Sequence, residues 1–359
     1  MTAATQALSG RRGDRMLTVH ARSLGVTTRV HVRALAVTTV LSAAAFGVFV
    51  WSLTVGDFPI ALSDVLATLN GDGTAEQEFI IRTLRLPRGL TGLAVGAAFG
   101  LSGAIFQRLA NNQLASPDII GVNAGAAVAA VFAIVVVQAS GTAVSVAALA
   151  GATITSIATY LLAYRRGVTG YRLILVGIGV AAILNALVQY LLTRAEIYDA
   201  QQAVVWLTGS LNGRTWDDLR PIAITLAVVV PIVVVVSRQL RALELGDDAA
   251  RGLGVRVERS RAVLLLAGVA LAAVATAAAG PIGFVALIAP QITRQLVGGR
   301  SLGLLPAAAG GALLVVAADL VARRIFAPTE LPVGVVTAVL GAPYLLYLIS
   351  RSGRGLIGG

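Results

Sequence analysis

The sequence predicts an all-α, polytopic membrane protein with about ten transmembrane helices, and three observations support that fold class. Hydrophobic residues make up 57% of the 359 residues, whereas charged residues make up only 13%. Soluble proteins carry about 25% charged residues. Several stretches of about 20 residues have no charge, and a helix of that length crosses the hydrocarbon core of a bilayer. The arginines are also distributed unevenly between the segments that connect these stretches.

The uncharged segments define the ten helices in order. Two segments, 119–164 and 262–293, are too long for one span, so we divide the first at Ser140-Gly141 and the second at Gly280-Pro281-Ile282-Gly283. The eighth helix is short and contains Pro290, which predicts a broken or partly re-entrant segment. The predicted helices lie near residues 34–53, 89–109, 119–139, 142–164, 172–193, 219–238, 260–279, 283–298, 303–324 and 332–350.

The charge distribution predicts the orientation. With the N-terminus in the cytoplasm, the inner segments hold 20 of the 28 arginines and 6 acidic residues, and the outer segments hold 8 arginines and 10 acidic residues. This pattern satisfies the positive-inside rule and explains the net charge of +11 without a nucleic-acid partner. Both termini are then cytoplasmic. Residues 1–33 are polar and basic, so we expect a disordered cytoplasmic tail before a transmembrane domain at 34–351.

Missing residue types exclude several kinds of chemistry. The chain has no Cys, which excludes disulfides, thiolate metal sites and iron–sulfur clusters. It has no Lys, so it can neither bind ATP through a P-loop lysine nor form a pyridoxal phosphate Schiff base. Its only histidines, His20 and His31, precede the first span. We therefore expect no cofactor and no metal site within the membrane, and a metal that crosses would travel inside a chelate.

Few polar residues lie within the predicted spans. Asn185 and Gln189 are four residues apart and share a helix face, which suits either a polar pathway or hydrogen bonds between helices. Asp319 is the only carboxylate in a span, and it lies four residues before Arg323. That spacing favours a local ion pair over a proton relay.

The second predicted helix has a small residue at every fourth position, at Gly92, Gly96 and Gly100. This spacing lets two helix backbones approach closely in lipid. We interpret these glycines as packing residues. Such packing suits both a transporter and a channel and does not distinguish between them.

Six segments of the sequence form a set of motifs in a fixed order along the chain. They are Arg85-Leu86-Pro87-Arg88 with the glycine-rich run to Gly103; Asn112 to Asp118 leading into Gly121 to Gly125; Trp206 to Leu211 with Trp216; Leu245 to Gly254; Gly280 to Val285 with Pro290 and Arg294; and Leu331 to Gly334 with Gly341-Ala342-Pro343. This set resembles the FecCD-type permease family, the membrane subunits of ABC importers for ferric siderophores, haem and vitamin B12. The sequence departs from the family pattern at Gln113, where the family usually has Pro, and at Gln291, where it usually has His.

The resemblance implies that one inner segment is a coupling element, which docks into a groove on a separate ATPase subunit. We expect two short helices joined by a glycine turn at Gly252 or Gly254. Considered without the resemblance, the same residues also suit a solvated loop. The implied coupling residues are Glu244, Leu245, Gly246, Asp247, Asp248, Ala250, Leu253 and Gly254.

The resemblance also implies roles at both membrane faces. Arg85, Arg88 and Arg323 would contact carboxylates of a substrate-binding protein, although interfacial arginines that snorkel toward water are the alternative. Asn185 and Gln189 would line the pathway at the interface of two permease subunits. The implied cytoplasmic gate consists of residues that, taken alone, favour caps and turns. These gate residues are Asn112, Leu114, Thr169 and Gly170.

Together these observations predict the permease subunit of an ABC importer in the bacterial inner membrane, translocating a ferric siderophore by alternating access. Its partners would be a second permease subunit, two cytoplasmic ATPases and an extracytoplasmic substrate-binding protein. Haem or cobalamin import is the alternative within the family. An ion-coupled secondary transporter would need coupling residues at mid-bilayer, where Asp319 is the only carboxylate, and an enzyme would need a nucleophile–base pair or a metal cluster.

Overall fold

The computed structural model describes residues 7–9, 15–21, 26–164, 170–298 and 303–352. These ranges contain fourteen α-helices, a π-helical turn at Phe79–Arg85 and a 3-10 turn at Pro117–Ile120. The helices are α1 (Val32–Thr54), α2 (Leu62–Asn70), α3 (Ala75–Glu78), α4 (Leu86–Leu109), α5 (Val122–Val135), α6 (Thr142–Ala163), α7 (Gly170–Arg194), α8 (Ile197–Thr208), α9 (Trp216–Leu243), α10 (Asp247–Gly252), α11 (Val257–Ala279), α12 (Val285–Val297), α13 (Leu304–Arg324) and α14 (Val333–Ser352).

Each of the ten predicted membrane helices has a counterpart in the structure. Within the described ranges, seven helices are long and apolar enough to cross a membrane, namely α1, α4 with the turns before it, α6, α7, α9, α11 and α13. Apolar segments of α5 and α14 are shorter. The 13 residues of α12 span about 20 Å, which is less than the hydrocarbon thickness. The predicted fold class is confirmed.

The helices divide into a buried centre and a periphery. Along their spans, 78% of the α4 segment and 72% of α11 are buried, against 17% of α1, α7 and α9. We call the end of the bundle with the loops after α4 and α9 the inner end, and the end with the loop after α1 the outer end, following the orientation that the arginines predict. The central helix α4 runs between the two ends.

Glycine allows the backbone of α4 to contact its neighbours. A Cβ atom at Gly96 would lie 2.3 Å from the Gly311 carbonyl oxygen of α13. A Cβ atom at Gly103 would lie 1.7 Å from the Ala286 carbonyl oxygen of α12. Real Cβ atoms do not approach oxygen this closely, so these contacts require glycine. Lipid provides no hydrophobic driving force between helices, which makes close backbone packing the main attraction.

The chain between α11 and α12 is not helical. Its first residue, Gly280, has φ +75 and its last, Phe284, has φ +68. The Ser210 amide after α8 donates to the Ala279 carbonyl at 2.8 Å, so the end of α8 packs against this segment. The eighth predicted helix is short, as expected, but α12 continues through Pro290 and the break precedes it.

A small antiparallel sheet precedes α1. Its strands are β1 (Ala7–Ser9), β2 (Arg15–Ala21) and β3 (Val26–His31), in the order β1-β2-β3. Strand β2 pairs with both β1 and β3 in antiparallel orientation. The disordered cytoplasmic tail at residues 1–33 remains a prediction.

We predict that Gly96→Ala destabilises the protein, because the added methyl group would force α4 away from α13. Overpacking of this kind lowers the free energy of unfolding by about 1–3 kcal/mol. Thermal unfolding of the purified protein in detergent measures the effect. The matched control is Gly47→Ala in α1, where nothing lies within 4 Å of the added Cβ atom. Equal unfolding temperatures for the two variants would contradict the packing role of Gly96.

Candidate functional site

A cluster of four charged residues around the buried carboxylate of Asp319 joins helices at the outer end. Arg88, in the first turn of α4, donates from Nη2 and Nε to Asp319 Oδ1 of α13 at 2.9 and 3.2 Å. Its Nη1 donates to Glu330 Oε2 at 2.8 Å. Arg323 Nε lies 3.2 Å from Asp319 Oδ2, which confirms the predicted local ion pair. Asp319 is only 4% exposed, so two guanidinium groups compensate its charge away from water.

Arg85 is buried in the turn before α4 and binds backbone rather than acidic side chains. Its Nη1 donates to the Leu53 carbonyl in the last turn of α1 at 2.6 Å, and its Nη2 donates to the Phe58 carbonyl. Arginine near a helix C-terminus satisfies carbonyl groups that have no partner within the helix. The three arginines that the resemblance assigns to docking thus hold the outer ends of α1, α4 and α13 together, and their docking role remains a prediction.

The segment between α9 and α11 forms the surface at the inner end that resembles the coupling element. It contains one helix, α10, rather than the two expected, because the chain turns at Gly254 with φ +78 and then enters α11. Leu245 and Leu253 flank α10 and are 68% and 66% exposed. Ala250 is fully buried. The segment therefore packs against the rest of the protein through Ala250 and leaves two leucine side chains exposed.

One ion pair joins α10 to the next helix, and a second lies within α10. Asp247 accepts from Arg261 Nη2 of α11 at 2.7 Å, whereas Asp248 accepts from Arg251, three residues later in α10, at 2.9 Å. Both acidic residues lie in the first turn of α10, where a carboxylate interacts favourably with the helix dipole. Gly246 precedes them with φ +100, a conformation that favours glycine. Five of the predicted coupling residues therefore have identifiable structural roles, listed here as Gly246, Asp247, Asp248, Ala250 and Gly254.

The predicted gate residues lie on the loop after α4 and at the start of α7. Asn112 Oδ1 accepts from the Leu114 amide at 2.9 Å, which forms the turn that the residues alone favour. Leu114 is 40% exposed. Gly170 begins α7, and Thr169 lies outside the described residues. A gate at these positions remains a prediction.

A polar network that the sequence did not predict follows this loop. Asp118, in the 3-10 turn, accepts hydrogen bonds from Asn123 Nδ2 of α5 and from Ser116 Oγ. Asn123 Oδ1 in turn accepts from Thr276 Oγ1 of α11 at 2.8 Å. Burial raises the pKa of Asp118 to about 6, and the hydrogen bond from the Ser116 hydroxyl acts in the opposite direction. The network ties the loop to α5 and α11 through neutral donors.

The two amides predicted to line a pathway lie on the uncovered face of α7. Asn185 and Gln189 are both exposed. Most of this helix face is apolar and has no covering element within the described parts of the chain, since only 17% of the span is buried. The placement suits either a pathway wall or an interface with a second subunit.

These features define a class: the chain is a polytopic helical membrane protein whose inner end presents an exposed helix between two spans. Residues 43–351 match the model of the FecCD transport family, and the chain belongs to that family. The resemblance carried by the six segments is thereby confirmed.

The curated relatives cover nearly the whole chain. The ferric enterobactin transport system permease protein of Escherichia coli K12 is 44% identical over 315 residues, which are 88% of this chain and 96% of that protein. The iron(3+)-hydroxamate import system permease protein of Bacillus subtilis 168 is 42% identical over 314 residues, 85% of this chain and 94% of the relative. Apolar helices and permease relatives together indicate a multi-span protein of the bacterial inner membrane.

A solved structure also matches. An inward-facing conformation of a metal-chelate type ABC transporter superposes with a TM-score of 0.80 at 28% sequence identity, covering 88% of this chain and 99% of the other. The fold is therefore that of an ABC importer permease.

We predict that Asp319→Ala strongly destabilises the protein, because Arg88 and Arg323 would remain buried beside each other without their shared carboxylate. Removing one partner of a buried ion pair lowers the free energy of unfolding by about 3–5 kcal/mol. The control Asp217→Ala removes an exposed pair with Arg220, for which about 1 kcal/mol or less is expected. Thermal unfolding and the yield from membranes measure both variants. Similar losses of stability in the two variants would show that the ion pairs of Asp319 contribute no more to stability than an exposed ion pair.

Proposed function

We propose that this chain is the permease subunit of a bacterial ABC importer and that its cargo is a ferric siderophore. The observation that carries the proposal is the similarity, over 85% or more of the chain, to permeases whose names specify ferric enterobactin and iron(3+)-hydroxamate. The likeness to a metal-chelate type transporter supports the same class of cargo. A chelate brings its own metal ligands, which suits spans that contain neither histidine nor cysteine.

The energy for transport would come from separate ATPase subunits. The chain has no lysine and so cannot form a P-loop of its own. Leu245 and Leu253 project uncovered apolar surface beside α10, and such surface at a membrane-protein inner end suits burial in a groove of a partner. We propose that two ATPases bind two permease subunits through these segments and that their closure on ATP moves the segments.

A second permease subunit would complete the pathway. In one chain, the amides of Asn185 and Gln189 lie on an exposed helix face between apolar residues. Burial against a second α7 would line a central path with amides that can form hydrogen bonds but carry no charge. A substrate-binding protein would deliver the cargo to the outer end, where the buried Arg88–Asp319 ion pair joins the N-terminus of α4 to the C-terminal part of α13.

The substrate prediction is tested with the assembled complex in proteoliposomes. The loaded binding protein is added to the outside of the proteoliposomes, and ATP hydrolysis and cargo uptake are measured together. The cargoes compared are ferric catecholate, ferric hydroxamate, ferric citrate, haem and cobalamin. We expect one of the ferric siderophores to stimulate both activities above the unloaded binding protein. Stimulation by haem or cobalamin alone would contradict the siderophore proposal and favour the alternative cargo within the family.

A further inference from the structure

The inner end of α4 carries two adjacent residues that face different parts of the transporter. Arg108 Nη1 donates to Glu244 Oε1 at 2.5 Å. Glu244 is the C-cap residue of α9 and the first residue of the segment that contains α10. The two side chains are 14% and 26% exposed, so the pair is less screened by water than a surface ion pair. The contact joins residues 136 positions apart and connects the central helix to the proposed coupling segment.

Gln107, the residue before Arg108, connects α4 to α12 and to the loop after α4. Gln291 of α12 is 2% exposed. Its Nε2 donates to Gln107 Oε1 and to the Gln113 carbonyl, both at 2.9 Å. Gln107 Nε2 donates to the Leu287 carbonyl at 3.0 Å. A single amide nitrogen with two protons can bond both acceptors at once, which a singly protonated imidazole nitrogen cannot.

The two sets of contacts border one cavity. A space of about 310 Å³ lies between the inner ends of α4, α9 and α12. Arg108 and Glu244 line one part of it, and Asn112 and Gln113 of the loop line another. A displacement of Glu244 would therefore change both the end of α4 and the shape of the inner mouth.

We infer that the Arg108–Glu244 ion pair and the Gln107–Gln291–Gln113 hydrogen bonds form a mechanical link, which transmits movement of the coupling segment to the loop at Asn112. The inference rests on the proposed ABC importer function. Arg108, Glu244 and Gln291 are positioning residues in this account, because they act on the mouth through α4 and the loop rather than on the cargo. Packed elements with directional polar contacts transmit small shifts as discrete rearrangements.

The ion pair is tested by charge exchange in the complete complex. Arg108→Glu and Glu244→Arg are made singly and together, and cargo uptake is divided by the ATP hydrolysed in the presence of loaded binding protein. We expect each single variant to hydrolyse ATP while cargo moved per ATP falls about tenfold, the size of a typical coupling effect. The double exchange should recover most of that ratio. Asp217→Arg with Arg220→Glu, an exposed pair at the outer end, is the control and should leave the ratio unchanged.

A purely structural role predicts a different result. If the pair only stabilises the fold, the ratio stays at the wild-type value while the amount of assembled complex falls with the unfolding temperature, and the inference is overturned. Glu244→Gln, which keeps the shape and one acceptor, replaces the exchange variants if those do not assemble. A wild-type complex without stimulated ATP hydrolysis would contradict the proposed function instead, so the two failures are distinguishable.

The glutamine contacts are tested independently. Gln291→Leu keeps the approximate side-chain size and removes both hydrogen bonds to Gln107 and Gln113. We expect the same loss of cargo per ATP with ATP hydrolysis retained. Gln295→Leu, one turn further along α12 at an exposed position, is the matched control. Equal ratios for the two leucine variants would exclude Gln291 from the link.

Discussion

Contact between the backbones of α4 and α13 is the constraint on which the rest of the structure depends. It exists because Gly96 and Gly311 lack side chains where the two helices meet, so that a single Cβ atom on either would collide with a carbonyl oxygen of the other helix. In a bilayer, an apolar side chain gains little free energy when it moves from lipid to a helix–helix contact. Close packing and internal polar contacts must therefore hold the helices together in place of the hydrophobic effect. The small residues of α4 therefore determine which helices surround it, and the peripheral helices are free to face lipid or partner subunits.

The same helix connects the two ends of the molecule. Arg88 lies at its outer end and Arg108 in its last turn, about 30 Å apart at the rise of an α-helix, which matches the hydrocarbon thickness of a bilayer. Each arginine binds a carboxylate supplied by a distant part of the chain, Asp319 at one end and Glu244 at the other. Between them the helix is apolar and rich in glycine. Polar contacts thus fix the ends of α4, and backbone packing fixes its middle.

The sequence predicted what depends on local pattern. Uncharged runs located the membrane helices, and the spacing of Asp319 and Arg323 predicted their ion pair. It did not reveal that Arg88 also binds Asp319 or that Arg108 binds Glu244, since these partners are 231 and 136 residues apart and charge alone does not select among many candidates. The single helix α10 was missed because turn geometry is weakly encoded in short segments. Six motifs in order carried the family assignment, as their combined specificity exceeds that of any one.

We propose that this polypeptide transports its cargo only when nucleotide hydrolysis by other subunits of the complex drives its motion. The most direct measurement compares concentrative uptake in vesicles that hold the permease alone under an imposed proton or sodium gradient with uptake in vesicles that hold the full complex and ATP but no gradient. We expect accumulation only in the second preparation, and we expect it to be lost when a non-hydrolysable ATP analogue replaces ATP. Accumulation by the permease alone, driven by an ion gradient, would contradict it.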